Sequence, residues 1–264
     1  MTNDPARTGA PSVDATATYE RLAQVRAALR GEAQVRETYT MRSLFPETGP
    51  YRRELYPRHM EFIGAGQVHR ERCFLAGNRV GKSVLGAYET TAHVSGLYPA
   101  WWHGRKFGHP IKAWAAGTTK EKTREIVQVK LLGETGHYGT GMIPAHMVHH
   151  VSHKAGGTGA ADTVWVKYQN AVGDVVGLSQ IAFKSYDQGR TAFEGTEQDL
   201  IWLDEEPPQD VYTECLMRTM TTEGLILATF TPLEGMTPLI LQFVQPATAG
   251  ESYDQAHGRL SSVR

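Results

Sequence analysis

Short apolar runs recur along the chain from residue 72 onward, and each run ends at a turn or capping residue. Several runs are apolar at consecutive positions, which is typical of central strands that helices cover on both faces. The predicted strands are 72–77, 111–117, 163–168, 178–186, 200–204 and 225–230. Apolar residues between the strands recur with helical spacing. They predict helices from Lys82 to about Ser95, from Thr119 to about Leu132 and from Pro208 to about Met220.

Strands that alternate with helices predict an α/β fold, with a mainly parallel sheet flanked by helices and joined by right-handed crossovers. Segment 133–162 interrupts the alternation, and we interpret it as an inserted loop or hairpin. Residues 1–18 show no apolar periodicity and are predicted to be a disordered leader. Segment 19–50 begins with an amphipathic stripe and is predicted to be a helical and linker segment.

The composition is that of an ordinary globular protein. Among 264 residues, 27 Lys and Arg stand against 28 Asp and Glu, so the formal net charge is −1. This balance excludes a histone-like polycation or an acidic tail protein. The two cysteines, Cys73 and Cys215, lie far apart, which supports neither a disulfide scaffold nor a thiolate metal site. No apolar run approaches the roughly 18 residues needed to span a bilayer, so we expect a soluble protein without a membrane partner.

A glycine-containing loop follows the first predicted strand and precedes a predicted helix. Its sequence, AGNRVGKS at 76–83, approaches the phosphate-binding pattern GxxxxGK[ST], with Ala76 in place of the first glycine. Lys82 is suited to the β- and γ-phosphates of a nucleotide and the Ser83 hydroxyl to Mg²⁺. Arg79 could contact phosphate, pair with an acid or be solvated. The predicted phosphate-binding residues are Gly77, Asn78, Arg79, Val80, Gly81, Lys82 and Ser83.

An acidic group ends the fifth predicted strand, in LIWLDEEPP at 200–208. Ligands bind at strand ends in such sheets, so Asp204 is predicted to hold Mg²⁺ and Glu205 to orient or deprotonate an attacking water. Glu206 points to the opposite side of an extended chain and ranks below Glu205. The alternative is that these acids merely solvate the exit of a buried strand.

Three further groups are candidates. Hydroxyls at the end of the last strand, Thr229 and Thr231, could sense the γ-phosphate, or could simply be β-prone residues entering a turn. Arg190, in a glycine-containing loop, is a candidate arginine finger, or else a surface or DNA-contacting residue. The third group could meet DNA phosphates or form a solvated helix face, and comprises Lys120, Lys122 and Arg124.

Five stretches together resemble the large terminase subunit of tailed bacteriophages, the motor that packages DNA into a preformed capsid. They are LAGNRVGKS, AGTTKEKTRE at 116–125, SYDQGRTAFEGT, IWLDEEP and TFTPLEG, and the resemblance covers residues from about 50 to 240. It implies a P-loop NTPase of the additional-strand, catalytic-glutamate (RecA-like) type over 51–250. It also implies ATP and Mg²⁺ as cofactors, and double-stranded DNA, a portal protein and a small terminase subunit as partners. The family works as a homo-oligomeric ring, often a pentamer, in the host cytoplasm at the procapsid portal.

The resemblance also assigns roles to residues. It places Lys82 and Ser83 in a deviant phosphate loop, Asp204 on magnesium and Glu205 as the catalytic glutamate. It places Thr229 to Thr231 in a coupling motif and Arg190 where a finger would act across subunits.

Two features depart from the family pattern. The glutamine that usually contacts adenine has no counterpart, so Tyr56 or His59 could stack on the base or could only pack. The chain also ends soon after the coupling motif, so 251–264 is interpreted as the start of a linker to an absent nuclease domain. Nuclease activity is therefore not expected in this chain.

Two other functions share these motifs. A RecA-like helicase or translocase core would need a second RecA-like domain, for which 264 residues leave no room. A nucleotide-binding scaffold that does not hydrolyse is disfavoured by the presence of both Asp204 and Glu205. An ATP-hydrolysing motor domain that couples hydrolysis to DNA translocation is the function that the sequence favours.

Overall fold

The computed structural model describes residues 21, 24–26, 40–153, 159–244 and 262–263. The chain divides into two units, Met1–Thr38 and Tyr39–Arg264. In the first unit, residues 21 and 24–26 are helical, as the amphipathic stripe predicts. The predicted leader at 1–18 lies outside the described residues, as does the predicted C-terminal linker except for residues 262–263.

A mixed sheet forms the centre of the second unit, and its described strands follow the spatial order β3-β4-β5-β2-β6-β7-β1-β8. Neighbouring strands pair in parallel along the run β5-β2-β6-β7-β1-β8. At the other edge, β4 pairs antiparallel with both β3 and β5. The strands are Glu71–Leu75 (β1), Lys112–Gly117 (β2), Val148–His153 (β3), Ala161–Gln169 (β4), Val175–Ser185 (β5), Leu200–Asp204 (β6), Leu225–Phe230 (β7) and Ser262–Val263 (β8). The six predicted strands are thus confirmed, and the segment interpreted as an inserted loop or hairpin contributes one further strand, β3, which pairs antiparallel with the predicted strand β4.

Besides the four-residue helix Thr40–Ser43 and several 3-10 turns, five α-helices connect or flank these strands in the described part of the chain. They are Pro57–Ala65 (α1), Lys82–Ser95 (α2), a composite helix from Lys120 (α3), Gln209–Thr219 (α4) and Pro238–Val244 (α5). The composite helix consists of Lys120–Lys122, the π-helical turns Thr123–Gln128 and the final turn Val129–Leu132. All three helices predicted from apolar spacing are present. Within the described residues, no helix combines the length and apolarity that crossing a bilayer requires.

Each face of the sheet buries its own apolar core because side chains alternate along every strand. Helix α2 covers one face, where Leu85 packs with Trp202 and Leu227, and α4 and α5 cover the other. Helix α2 approaches the sheet closely at Gly86, where an added Cβ would lie 2.2 Å from the Trp202 indole nitrogen. A larger residue at this position would push the helix, and the loop that precedes it, away from the sheet.

The strand order places one strand between the two that carry the predicted chemistry. Strand β7 lies between β1, which leads into the glycine loop, and β6, which ends at Asp204. This inserted strand is the feature that defines the additional-strand class of P-loop folds. Because β1, β6 and β7 run parallel, their carboxyl ends meet at one edge of the sheet, where ligands bind in open α/β sheets.

Candidate active site

The glycine loop turns sharply between β1 and α2. Gly81 has a φ of 87° and caps α2, and an added Cβ would lie 3.3 Å from His59 Nε2. Arg79 also adopts a left-handed conformation, with a φ of 64°, although it is not a glycine. Left-handed residues in a loop turn successive N–H groups toward one side, and the helix N-terminus adds partial positive charge. The loop is therefore shaped to bind an anion.

Lys82 occupies the first position of α2, and its side chain folds back over the loop. The ammonium donates to the Gly77 carbonyl oxygen and to Thr231 Oγ1, both at 2.7 Å. Thr231 in turn donates to Asn78 Oδ1 at 3.0 Å. Lys82 is only 7% exposed, so its charge is focused in a largely desolvated site. Asn78 and Lys82 thus form one hydrogen-bonded cluster with Thr231, which lies 149 positions beyond Lys82.

Asp204 is buried at the end of β6, on the face covered by α2. Burial raises the pKa of its carboxyl to about 6, although hydrogen bonds from Ser83 and Thr229 work in the opposite direction. Thr229 Oγ1 donates to the carboxylate at 2.8 Å and accepts from the Trp202 indole N–H, also at 2.8 Å. The contact with Ser83 brings together the two predicted magnesium ligands. A desolvated carboxyl beside a hydroxyl is a donor set that suits Mg²⁺.

Glu205 follows Asp204 with a strained backbone. Its φ is 66°, and its N–H donates to the Thr229 carbonyl oxygen at 3.0 Å. Its side chain is half-buried and lines a cavity of about 620 Å³ together with Lys122 and Thr231. The neighbouring Glu206 lines the same cavity and also accepts a hydrogen bond from Thr237. The expectation that Glu206 points to the opposite side from Glu205 is therefore wrong, because the left-handed backbone at Glu205 interrupts the alternation of an extended chain.

The two residues predicted near adenine lie beside the glycine loop. His59 is buried, with its ring against Phe45, Tyr56 and Phe74, and its Nε2 donates to the Val80 carbonyl oxygen at 3.1 Å. Burial lowers the pKa of His59, which favours the neutral ring. His59 thus stabilises the glycine loop through its hydrogen bond to Val80. Tyr56 and Val80 line a cavity of about 380 Å³, which offers an apolar place for a base.

Arg190 lies in the turn Arg190–Phe193, after β5. Its guanidinium pairs with Glu214 of α4 at 3.1 Å and with Glu194 at 3.0 Å, and its side chain is 52% exposed. The structure thus places Arg190 among acids on the side of the sheet that α4 covers. It does not place Arg190 among the groups that contact Lys82 or Asp204.

The predicted DNA-contacting residues lie at the start of α3 but divide between two surfaces. Lys122 is exposed and borders the cavity that Glu205 lines. Lys120 and Arg124 border a separate cavity, beside the end of β5, and Arg124 pairs with Glu125 at 3.2 Å. Only Lys122 is therefore placed next to the candidate active site.

Two residues at the site were missed by sequence reasoning. Trp202 supports Thr229 through its indole N–H, and the Tyr186 hydroxyl contacts the backbone of both acids at the end of β6. These bonds span 18 to 27 positions of the chain. An aromatic residue in an apolar run predicts only packing, so no local signal distinguishes either residue.

Comparisons with known proteins identify the family of the chain. A family model described as Terminase large subunit, T4likevirus-type, N-terminal matches residues 73–255. The chain is also similar to the large terminase subunit of Salmonella phage P22, with 33% identity over 242 residues that cover 84% of this chain and 48% of that protein. The chain thus spans about half the length of this curated relative.

Solved structures of large terminases are more distant. The ATPase domain from Thermus phage P74-26 is 16% identical, with a TM-score of 0.46 over 77% of this chain and 75% of that one. A large terminase from a thermophilic bacteriophage, in complex with ADP, is 10% identical, with a TM-score of 0.43 over 66% of this chain and 38% of that one. The family model, in contrast, covers well over half of the 264 residues. The chain belongs to the terminase large subunit family, and its α/β domain corresponds to the N-terminal part of that family.

Proposed function

We propose that this domain binds MgATP and hydrolyses it, and that in an assembled motor it couples hydrolysis to the translocation of double-stranded DNA into a procapsid. One observation carries the proposal: Lys82, the Ser83–Asp204 pair and Glu205 converge at the carboxyl edge of three parallel strands. A cation, a pair of magnesium ligands and a carboxylate are the groups that phosphoryl transfer to water requires.

Nucleotide binding would replace the two hydrogen bonds that Lys82 donates within the protein. The ammonium of Lys82 shares its protons with the neutral oxygens of Gly77 and Thr231, and phosphate oxygens are stronger acceptors. The adenine would lie in the cavity beside Tyr56 and Val80. Ser83 and Asp204 would hold Mg²⁺, which supplies positive charge to the β- and γ-phosphates.

Glu205 is the proposed catalytic residue. Its carboxylate borders an open cavity, where it can accept a hydrogen bond from water and take up the proton as the water oxygen attacks the γ-phosphorus. The bond from the γ-phosphorus to the bridging oxygen breaks, and ADP leaves with that electron pair. Asp204 remains with Ser83 and Thr229, so the two adjacent acids divide metal binding from proton transfer.

Arg190 is proposed to act on the nucleotide of a neighbouring subunit. Its ion pairs within the chain are with Glu194 and Glu214, and its side chain is 52% exposed, so that it is open to a neighbouring subunit. An exposed arginine that reaches across a subunit boundary can stabilise the charge that develops on the transferred phosphoryl group. The homo-oligomeric ring and its portal and small-subunit partners are part of the same proposal.

Thr231 is the proposed link between hydrolysis and movement. It contacts both Lys82 and Asn78 and begins the loop that leads to α5. When Lys82 turns to a phosphate, Thr231 loses a partner, so the state of the nucleotide changes the contacts of this loop. Lys122, across the same cavity, is placed to contact a DNA phosphate.

ATP turnover by paired variants tests the proposal in the assembled motor with DNA. We expect Lys82→Ala to lose nucleotide binding, and Glu205→Gln to bind ATP while kcat falls by roughly 10²- to 10⁴-fold. Binding is measured with a fluorescent nonhydrolysable ATP analogue and turnover by phosphate release.

The chain offers matched controls at the opposite edge of the sheet. Glu223 is a second glutamate with a left-handed backbone, with a φ of 50°, and Lys112 is an exposed lysine at the start of β2. Glu223→Gln and Lys112→Ala should leave binding and kcat at wild-type values. Wild-type turnover by Glu205→Gln would overturn the assignment of the catalytic residue.

A further inference from the structure

Glu205 is held in a backbone conformation that its own chemistry disfavours. Its φ of 66° lies in the left-handed region, where a Cβ comes too close to the following carbonyl oxygen. Such a conformation persists only where the surrounding structure imposes it. Since Glu205 is the proposed general base, the contacts that impose its conformation bear directly on catalysis.

The Tyr186 hydroxyl lies between the two peptide groups that flank the Glu205 Cα. It is 3.1 Å from the Asp204 carbonyl oxygen and 3.0 Å from the Glu205 carbonyl oxygen, and it donates to them as a shared hydrogen bond. The first carbonyl belongs to the peptide plane that φ rotates, and the second to the plane that ψ rotates. The contact with both planes therefore restrains both torsions of Glu205.

Tyr186 is itself fixed in place. It is 6% exposed, packs its ring near Phe193 and begins the turn Tyr186–Gln188. A capping box between Ser185 and Gln188 closes this turn. The acceptors are carbonyl oxygens, so the tyrosine O–H is the donor of both contacts.

We propose that Tyr186 is a positioning residue that holds Glu205 in the left-handed conformation from which its carboxylate reaches the attacking water. This inference rests on the proposed ATPase function. The hydrogen bonds of the Tyr186 hydroxyl go to the backbone of Asp204 and Glu205 rather than to the glycine loop or Lys82. Loss of this hydroxyl should therefore leave nucleotide binding intact. Misplacement of a reacting group by about 1 Å can cost on the order of 10²-fold in rate.

The test is Tyr186→Phe, which removes one oxygen atom and keeps the ring. We expect kcat for ATP hydrolysis to fall by roughly 10- to 100-fold, while KM and the affinity for a nonhydrolysable analogue stay within about twofold of wild type. The matched control is Tyr168→Phe. Tyr168 is also buried, at 2% exposure, and its hydroxyl donates to the carbonyl oxygen of Phe107, in the segment that precedes β2. Tyr168→Phe should lower the free energy of unfolding about as much as Tyr186→Phe does, and should leave kcat at the wild-type value.

A double variant separates positioning from general damage. If Tyr186 acts only through Glu205, then Tyr186→Phe should lower kcat little further in a Glu205→Gln background, since coupled residues are not additive. Additive losses would overturn the inference. Equal losses of kcat in Tyr186→Phe and Tyr168→Phe would also overturn it, as would a raised KM at wild-type kcat.

The outcomes also distinguish this inference from the proposed function. If Glu205→Gln loses turnover while Tyr186→Phe retains it, only the positioning role fails. If wild type and Glu205→Gln hydrolyse ATP equally, the ATPase assignment of Glu205 fails, and the role of Tyr186 fails with it.

Discussion

Two buried acids on the same side of the sheet differ in how their charge is compensated. Glu89, two turns along α2 from Lys82, accepts hydrogen bonds from Arg72 and from His93, the latter at 3.2 Å. Burial alone would raise the pKa of Glu89, but the guanidinium of Arg72 and the contact with His93 bring it below its usual value. Burial instead raises the pKa of Asp204 to about 6, because the partners that the structure gives it are hydroxyls.

The difference teaches how to separate a structural charge from a functional one. The charge of Glu89 is neutralised by Arg72, whose Nη1 also donates to the Phe62 carbonyl oxygen at 2.7 Å, while its Nε has no hydrogen-bond partner among the described residues. Asp204 carries an uncompensated charge that a cation would stabilise. A perturbed pKa beside a phosphate-type loop therefore indicates function, whereas a compensated buried pair indicates packing.

The largest effect on stability is expected at the compensated acid. Glu89→Gln leaves the Arg72 guanidinium buried without a counter-charge, which should lower the free energy of unfolding by about 3–5 kcal/mol. Urea denaturation measures this loss. A double replacement of Arg72 and Glu89 by methionine should recover most of it, because the uncompensated charge is then absent. A loss below about 1 kcal/mol in the single variant would contradict the comparison.

The opposite sign is expected at the uncompensated acid. Asp204→Asn removes a buried charge and should raise the free energy of unfolding by about 1–3 kcal/mol at pH 7.5, in EDTA and without nucleotide. The folded state binds a proton more tightly than the unfolded state, so the stability that Asp204 contributes is present below the usual carboxyl pKa. It is lost as pH rises through about 6.

Denaturant unfolding from pH 4 to pH 8 checks this sign. The decline in stability across that range should be smaller in Asp204→Asn than in wild type. Identical pH profiles for the two proteins would mean that Asp204 is compensated after all.

The smallest expected effect is a difference in stability between variants of two buried threonines. Thr229 Oγ1 bridges Asp204 and Trp202, so Thr229→Val should cost about 1–2 kcal/mol. Thr90 is equally buried, and its Oγ1 has no hydrogen-bond partner among the described residues. Thr90→Val should leave stability unchanged or raise it by up to about 1 kcal/mol. Thermal unfolding of both variants tests the pair, and an equal loss would show that the bridge contributes nothing.

Much of the fold could be predicted because its signals are local. The strand ending at Asp204 and the helix from Lys82 to Ser95 have the bounds that apolar spacing and capping residues predict. The loop at 76–83 is likewise recognised from a local pattern of consecutive residues. What spacing could not predict is the antiparallel edge of the sheet, since the pairing of β3 with β4 depends on which strands meet.

The site was predicted less completely than the fold. Thr229 and Thr231 belong to one motif in the sequence, yet the structure gives them separate tasks. Thr229 pairs in register with Asp204 inside the sheet and bonds its carboxylate, while Thr231 lies beyond the end of the strand and bonds Lys82. Arg190 was predicted from its loop, but its pairing with Glu214 follows from the packing of α4.

The sequence by itself determined where the strands end, where the phosphate-type loop lies and which acids follow a buried strand, because each is encoded within about ten consecutive residues. Only the tertiary structure decided which buried acid is compensated and how Glu205 is held. Those properties depend on hydrogen bonds from Arg72 to Glu89, from Tyr186 to Glu205 and from Thr229 to Asp204, between residues 17 to 25 positions apart. The order of strands and the burial of each face bring these residues together, and no local pattern records that order.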